Sequence, residues 1–395
     1  MSGHRATARK VLADIVPAIA APHADRSKGP NELLPNLLID LRPAVGSHGD
    51  RGIGRYVRGL AATVARFPDD LVDRIWGFGV PGPSMDVFGS RAVVAAGTRE
   101  PGWVPSWAYG RRASDAALRT SRSGSMHATD PQRPWTNPRI RSTVTVYDLI
   151  PLREPQVMAS WRVDHQIIYR SYLRQIASAD RIVAISQATA EDVQERLAID
   201  EDRIDIVYPL VEQPVEVRRV DPTEPTFICV GALDPHKQPE LALRAFAVFN
   251  TRFGIGRLRY IGPADAGSAA RLRELASALG VMSSVAIEGR LSDPDLEEAY
   301  ATATALVLTS RIEGFGLPAV EAALRGVPVI AVRTPAALET LGGVASIIAG
   351  DPEAIADAMT HPVTPSALQV QQIAERFSIT SATRSLADAY RSVLG

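Results

Sequence analysis

Residues 305–332 read ALVLTSRIEGFGLPAVEAALRGVPVIAV, and this stretch decides the fold of its half of the chain. Two short apolar runs, 305–308 and 327–332, are typical of strands that are buried on both faces of a parallel sheet. Parallel strands need a crossover connection, and Pro318 suits the first turn of an intervening helix, while Gly326 suits the position just past its end. The pattern therefore predicts a strand, loop, helix and strand, with RIEGFG as the loop at the carboxyl end of the first strand.

This loop has the features of a ligand site. Ligands of open α/β sheets bind at the carboxyl edge, where a helix start adds free N–H groups and a partial positive charge. Gly314 and Gly316 let the backbone approach a ligand, while Glu313 places a carboxylate in the loop and Glu321 places another in the first helical turn. Carboxylates accept paired hydrogen bonds from vicinal hydroxyls, so the combination suits a sugar nucleotide. The alternative is that Glu313 is a solvated loop residue and Glu321 a helix-start charge favoured by the helix dipole.

Composition limits the class of protein. A chain of 395 residues with 46% hydrophobic and 22% charged positions is expected to form two domains. A net charge of -1 and a pI near 6.7 argue against a nucleic acid as a partner, because binding through a basic surface would need an excess of positive charge. The single cysteine, Cys229, excludes an intramolecular disulfide and a cysteine-based zinc site. No run is long enough to span a bilayer and no signal-peptide core is present, so we expect a soluble, cytoplasmic protein.

The segment SRIEGFGLPAVEAALRGVPVIA, residues 310–331, resembles the signature of the retaining glycosyltransferases of family 4. The resemblance implies an α/β fold in which two Rossmann-like domains face each other across a cleft, the arrangement called GT-B. It implies that Glu313 is catalytic and holds hydroxyls of the donor sugar, and that Glu321 holds the nucleotide ribose. The loop residues that it places on the donor beside Glu313 are Gly314, Phe315, Gly316 and Leu317.

Other parts of the family pattern recur in order along the chain, and strands alternate with helices throughout, which predicts parallel α/β structure in both domains. The predicted organisation is an N-terminal extension at 1–35, an acceptor-side domain at 36–208, a linker at 209–225, a nucleotide-sugar-binding domain at 226–380, and a C-terminal helix at 381–395 that crosses back to the first domain.

Lys237 is a candidate for the cation that neutralises the donor diphosphate. It lies in TFICVGALDPHKQPELALRAF, residues 226–246, which predicts a strand, a loop and a helix, and it is one of three lysines among 43 basic residues. In a chain that otherwise uses arginine, an isolated lysine indicates a need for a compact ammonium. The alternative is a solvated loop charge. The family pattern is a strand that ends in glycine and a loop that closes on Pro-Arg-Lys-Asn; it implies donor contacts from Gly231, His236 and Lys237, with Lys237 acting on the leaving group.

The start of the first domain repeats this arrangement, with an apolar strand at 37–41, the segment RPAVGSHGDRGIGRY and an amphipathic helix at about 53–67. The segment resembles the family's first glycine loop, which faces the acceptor and the donor phosphates. The resemblance assigns Gly54 to the donor and Arg51 and Arg55 to the acceptor side. The alternative is that the glycines serve only a tight turn.

STVTVYDLIPL, residues 142–152, predicts a strand that ends at Tyr147 and Asp148 and resembles the family's strand ending in His-Asp-Leu. Both residues are therefore assigned to the catalytic site. Tyr147 replaces a histidine, and its hydroxyl can form hydrogen bonds but cannot be cationic near neutral pH. His127, in SMHATDP, follows the pattern of an earlier strand-end histidine on the acceptor side, and a structural histidine is the alternative.

The sequence thus predicts a retaining glycosyltransferase that moves a hexose from a nucleotide-sugar donor to a glycan or glycolipid acceptor. No cofactor is expected, and the absence of Asp, His and Cys in metal-ligand spacing predicts metal-independent transfer. The pattern is most similar to mannosyltransferases of surface-polysaccharide assembly, which makes GDP-mannose the expected donor. The alternatives are a nucleotide-sugar epimerase or glycan phosphorylase of the same architecture, and a catalytically weak sugar-nucleotide-binding protein, which Tyr147 and His236 would favour.

Two segments have less definite patterns. Residues 6–21 predict a short helix with basic residues near one end, which suits peripheral contact with the inner face of an anionic membrane; a frayed or domain-packed helix is the alternative. Residues 75–135 combine tryptophan and arginine with proline and glycine and lack clear periodicity. They are interpreted either as an acceptor-binding loop region or as a surface insertion.

Overall fold

The structure of the protein is a computed structural model, and its chain divides into two compact units, Met1–Leu210 with Ile379–Gly395 and Val211–Ser378. The residues that the structure describes are 36–45, 52–78, 92–95, 118, 123–129, 140–159, 161–214 and 219–394.

The first unit is built on a seven-stranded parallel sheet in the order β3-β2-β1-β4-β5-β6-β7. Its central strands are buried along nearly their whole length, as expected for strands covered by helices on both faces. The strands are β1 (Leu37–Asp40), β2 (Ile75–Phe78), β3 (Ala92–Ala95), β4 (Ser125–Ala128), β5 (Arg141–Val146), β6 (Arg181–Ala184) and β7 (Ile204–Ile206). The helices are α1 (Arg42–Val45), α2 (Gly52–Val64), α3 (Ile150–Arg153), α4 (Pro155–Ala159), α5 (Val163–Ser178) and α6 (Gln187–Leu197).

The second unit has a six-stranded parallel sheet in the order β10-β9-β8-β11-β12-β13. Its core contains Phe227, Phe246 and Tyr260, which are almost completely buried. The strands are β8 (Thr226–Val230), β9 (Arg257–Ile261), β10 (Val285–Gly289), β11 (Ala305–Leu308), β12 (Val329–Val332) and β13 (Ser346–Ile348). The helices are α7 (Pro239–Phe253), α8 (Ala266–Ala278), α9 (Asp293–Thr302), α10 (Leu317–Leu324), α11 (Pro335–Leu341), α12 (Pro352–Thr360) and α13 (Ala367–Arg376).

The predicted α/β fold class with two Rossmann-like domains is confirmed. The strand predicted at 305–308 has those bounds, whereas the apolar run at 327–332 gives a shorter strand, Val329–Val332. The region 75–135, for which the sequence predicts no secondary structure, contains three strands of the first sheet, β2 to β4. Each has only four residues, too few for a periodic pattern to stand out. Among the described residues, no helix is both long enough and apolar enough to cross a membrane.

The last helix, α14 (Ile379–Leu394), belongs to the first unit, and its apolar face packs on α2 and the sheet. Tyr390 of this helix lies edge-on to Phe67, with ring centres 5.4 Å apart. Its hydroxyl is hydrogen-bonded to Nδ1 of His127, whose Nε2 lies 2.8 Å from the Thr145 hydroxyl. The side chain of His127 is fully buried, so this histidine joins two strands to the C-terminal helix.

This burial predicts an acid sensitivity of the first unit. Burial lowers the pKa of His127 from its usual value to about 3. In the unfolded chain the imidazole takes up a proton below about pH 6.5, whereas the folded chain does not, so the stability falls as the pH drops from there toward 3. At pH 5 the loss amounts to about 2 kcal/mol.

His127→Gln, which keeps hydrogen-bonding groups but cannot titrate, should remove this part of the acid loss. The measurement is the free energy of unfolding at pH 7 and pH 5 from denaturant titrations. His165→Gln, on the exposed surface of α5, is the matched control and should keep the wild-type dependence. An undiminished loss of stability in His127→Gln would contradict this role.

Candidate functional site

The candidate site lies in the second unit, where the carboxyl ends of β8 and β11 are neighbours. In this sheet order the connections leave β8 on one side and β11 on the other, so this position is the topological switch point at which open α/β sheets bind ligands. A small pocket occupies it, and its walls include Gly231 after β8, Lys237 in the following turn, and Thr309 and Ser310 after β11. Residues that are far apart in the sequence thus meet at one edge.

An ion pair forms the centre of the site. Lys237 Nζ lies 2.7 Å from Glu313 Oε1, and the Ser310 hydroxyl donates a hydrogen bond of 2.6 Å to the same oxygen. The side chains of Lys237 and Glu313 are 26% and 11% exposed, so the pair is largely shielded from water. Burial alone would raise the pKa of Glu313, but the charge and hydrogen bond of Lys237, with the Ser310 hydroxyl, outweigh it and hold the pKa below its usual value. Glu313 is therefore ionised at neutral pH.

The end of β11 also fixes the backbone that carries Lys237. The Thr309 hydroxyl donates to the carbonyl oxygen of Lys237 at 2.8 Å, and the Arg311 N–H donates to the carbonyl oxygen of His236 at 2.8 Å. Within the turn, the Lys237 N–H donates to Asp234 O at 2.9 Å. The turn Pro235–Lys237 is thus tied to the strand next to β8, which brings the predicted donor residues His236 and Lys237 beside the predicted donor loop.

Glycine is required at two positions around the pair. Gly231 has a φ of +140°, and a Cβ there would lie 3.5 Å from the Lys237 side chain. Gly316 has a φ of +86° and caps the start of α10. Of the other predicted loop residues, Gly314 is partly exposed and Leu317 is the first residue of α10. The Phe315 ring is buried and packs on Phe377, and this contact holds the loop against the core of the second unit.

Glu321 differs in position from the sequence-based expectation. It was predicted in the first helical turn, but α10 begins at Leu317, so Glu321 is its fifth residue and belongs to the second turn. Its carboxylate is buried and accepts a 3.0 Å hydrogen bond from the hydroxyl of Tyr300 in α9. The Arg325 guanidinium lies 5.0 Å from the centre of the Tyr300 ring. Tyr300 was not among the site residues predicted from the sequence.

Tyr147 and Asp148 directly follow β5, at the carboxyl edge of the first sheet. The Tyr147 side chain is buried, and its hydroxyl donates to the Thr129 carbonyl oxygen at 2.7 Å. Asp148 Oδ1 accepts from the Ile150 N–H at 3.0 Å, at the start of α3. Both side chains thus support the local fold of the first unit, and their catalytic assignment stays a prediction.

The other residues assigned in the first domain fall into three groups. His127 is fully buried with both ring nitrogens hydrogen-bonded, a geometry that favours the structural alternative over contact with an acceptor. Gly54 and Arg55 belong to the segment that resembles the family's first glycine loop, and both lie in the first turn of α2, which begins at Gly52, close to the predicted start near residue 53; Gly54 is buried and Arg55 is partly exposed. Arg51 lies outside the described residues.

Within the part of the chain that the structure describes, no three His, Cys, Asp or Glu side chains converge as they would around a metal ion. Lys237 and Glu313 form an ion pair at this edge, and α10, which follows the loop that contains Glu313, carries a further buried carboxylate, Glu321.

Comparison with known proteins finds a family model that is similar to part of the chain. Residues 213–371, nearly all of the second unit, match the family model described as "Glycosyl transferases group 1". The second unit is therefore similar to group 1 glycosyltransferases over nearly its whole length. Curated relatives that are similar to part of this chain include the D-inositol 3-phosphate glycosyltransferase of Rhodococcus opacus, 31% identical over 173 residues, and that of Acidothermus cellulolyticus, 34% identical over 177 residues. In both, the similarity covers 40% of this chain and 39% of the relative, so the chain spans about two fifths of the length of these relatives.

Solved structures resemble the chain over most of its length. Anabaena Alr3699/HepE in complex with UDP and glucose is 16% identical, with a TM-score of 0.64 over 90% of this chain and 99% of the other. The sucrose-phosphate synthase of Thermosynechococcus elongatus is 14% identical, with a TM-score of 0.66 over 90% of this chain and 98% of the other. These likenesses establish the fold.

Proposed function

We propose that the chain is a glycosyltransferase that binds a nucleotide-sugar donor at the carboxyl edge of β8 and β11 and transfers its hexose to a glycan or glycolipid acceptor. The observation that carries the proposal is the contact of Lys237 with Glu313 at the switch point of a sheet whose domain matches group 1 glycosyltransferases. A cation for a diphosphate and a carboxylate for sugar hydroxyls lie side by side there.

The chemistry of transfer explains the residue types. The diphosphate gains negative charge as its bond to the sugar breaks, and a preorganised ammonium such as that of Lys237 stabilises this charge. The ionised carboxylate of Glu313 can accept hydrogen bonds from sugar hydroxyls and hold the anomeric carbon in place. Glu321, held by the Tyr300 hydroxyl, is a suitable acceptor for the ribose hydroxyls.

The finer assignments rest on the resemblance to family 4. They are retention of configuration, with attack by the acceptor hydroxyl on the face that the nucleotide leaves, and transfer without a metal. The motif pattern favours GDP-mannose, whereas structural neighbours were solved with UDP or with UDP-glucose. The curated relatives are named for D-inositol 3-phosphate, which makes this polyol phosphate an acceptor to test beside glycans and glycolipids.

A thermal-shift panel of nucleotide sugars tests the proposal. A donor present at ~100 times its dissociation constant should stabilise the chain by about 2.7 kcal/mol, while the matching nucleoside and free sugar should have little effect at the same concentration. The panel includes UDP- and GDP-linked hexoses, and the stabilising donor is then assayed for transfer with and without EDTA.

The control reactions separate the other candidate activities. Conversion of the nucleotide sugar without any acceptor would indicate an epimerase, and turnover only with inorganic phosphate would indicate a phosphorylase. Binding without transfer to any acceptor would indicate a sugar-nucleotide-binding protein. If no nucleotide sugar stabilised the folded chain, the proposed function would be wrong.

A further inference from the structure

The ion pair between Lys237 and Glu313 joins two groups that the proposed function assigns to different parts of the donor. Lys237 serves the diphosphate, and Glu313 serves the sugar. One of the three N–H donors of the ammonium points at Glu313 Oε1, 2.7 Å away. A diphosphate that reaches Lys237 must therefore either approach the Glu313 carboxylate, which is also negatively charged, or weaken the contact between Glu313 and the ammonium.

The fold brings these two charges together. Thr309 and Ser310 are consecutive residues at the end of β11, and their hydroxyls hold the Lys237 backbone and the Glu313 carboxylate respectively. The pair is thus fixed from both sides by one strand end, and it is largely shielded from water, where an ion pair is screened less than at the surface. The Glu313 carboxylate is positioned as a competitor for the ammonium.

The donor and the product differ in how they meet this competition. A nucleotide sugar that draws Lys237 away supplies hydroxyls that replace the ammonium as partners of Glu313. A nucleoside diphosphate lacks the transferred hexose, so Glu313 is left beside the product's phosphates with no new partner. Weakening the ion pair should therefore lower the affinity for the product more than the affinity for the donor.

We propose that Glu313 competes with the diphosphate for Lys237, so that it lowers the affinity for the nucleoside diphosphate product more than the affinity for the donor and promotes product release. This inference rests on the proposed function, because it takes the donor to be a nucleotide sugar bound at this edge. It gives Glu313 a second role that is distinct from holding the donor sugar.

The test is calorimetric titration of UDP and GDP into the full chain and into Glu313→Gln, which keeps the size and hydrogen-bonding capacity of the side chain but removes its charge. The nucleoside diphosphate should bind on the order of 3- to 10-fold more tightly to Glu313→Gln, the range expected for release of a partly buried charge pair. The matching nucleoside, which has no phosphate, should bind equally to both proteins.

The matched control is Glu288→Gln. Glu288 forms an ion pair with Arg259 in the same unit, with Nε 2.7 Å from Oε1, and both side chains are 24% exposed. This variant removes the same charge without touching Lys237, so it should leave the affinity for the nucleoside diphosphate unchanged. In a Lys237→Met background the effect of Glu313→Gln should shrink, because a buried carboxyl without its ammonium favours the protonated form.

Four results would decide the matter. Tighter binding that is confined to Glu313→Gln and depends on Lys237 supports the inference. Unchanged or weaker binding of the nucleoside diphosphate by Glu313→Gln would overturn it, and so would an equal gain in Glu288→Gln, which would show a general effect of charge. If the folded wild-type chain bound neither UDP nor GDP, the proposed function itself would fail, and the inference with it.

Discussion

Lys237→Ala is expected to lower turnover by on the order of 100- to 1000-fold, the usual effect of removing one preorganised group that stabilises charge in the transition state. The affinity for the donor should change much less. Lys237 forms an ion pair with Glu313, and under the competition proposed above the weakening of this pair would offset the attraction of Lys237 for the diphosphate. Steady-state kinetics of transfer, with the donor affinity measured separately by calorimetry, would separate the two effects.

Two further variants sharpen this prediction. Lys237→Arg should recover only part of the turnover, because a planar guanidinium cannot occupy the position of a compact ammonium that is tied to the end of β11. Arg244→Ala removes an exposed cation from the helix that follows the same turn, and it should leave transfer unchanged. Near-wild-type transfer by Lys237→Ala would show that Lys237 is not the cation for the diphosphate.

Glu321→Ala is expected to weaken binding of the free nucleotide and of the nucleotide sugar alike, because its proposed contact is with the ribose that both contain. Hydrogen bonds to a charged group contribute about 1.5 to 3 kcal/mol each, so the loss should be at least on the order of 10-fold. Calorimetry with both ligands measures it. If only the affinity for the nucleotide sugar were lost, the proposed contact of the Glu321 carboxylate would have to be with the transferred sugar and not with the ribose.

Tyr300→Phe separates the role of Glu321 from its contribution to stability. This variant keeps the ring against Arg325 and removes only the hydroxyl that holds the Glu321 carboxylate. It should weaken nucleotide binding less than Glu321→Ala does. Tyr172→Phe, which removes a buried tyrosine hydroxyl that donates to Thr145 O in the first unit, is the matched control for stability.

An unchanged affinity for the free nucleotide in Glu321→Ala would remove the ribose assignment.

The sequence was most informative where local backbone physics decides the structure. Pro318 lies in the first turn of α10 and Gly326 just past its end, with a φ of +67°, because these two residue types fit few other backbone conformations. The parallel strands on either side were visible as short apolar runs. Fold class, the loop at the carboxyl edge and the candidate residues of that loop could therefore be predicted from residue types and their spacing.

The partners of those residues could not be predicted, because they depend on which strands become neighbours. Lys237 and Glu313 are 76 residues apart, and they meet because β11 adds to the sheet beside β8. The pairing of Tyr300 with Glu321 likewise needs the packing of α9 against α10. Residue type and motif place each charge at an edge, but only the tertiary structure shows that the two opposite charges form an ion pair.

His127 illustrates the same limit in the first unit. Its place at the end of a strand resembled that of a site residue, yet its side chain is covered by Tyr390, 263 residues later in the chain. A helix from the far end of the sequence thus determines whether a strand-end histidine is exposed or buried. Nothing within the local segment SMHATDP carries this information.

The most direct test of the central claim, that a nucleotide sugar binds between β8 and β11, is a crystal structure of the chain with the most stabilising donor from the panel. We expect the diphosphate within hydrogen-bonding distance of Lys237 Nζ, the sugar hydroxyls on Glu313, and the ribose on Glu321. The contact of 2.7 Å between Lys237 and Glu313 should be lengthened or lost. A donor bound elsewhere, with this ion pair intact, would contradict the account.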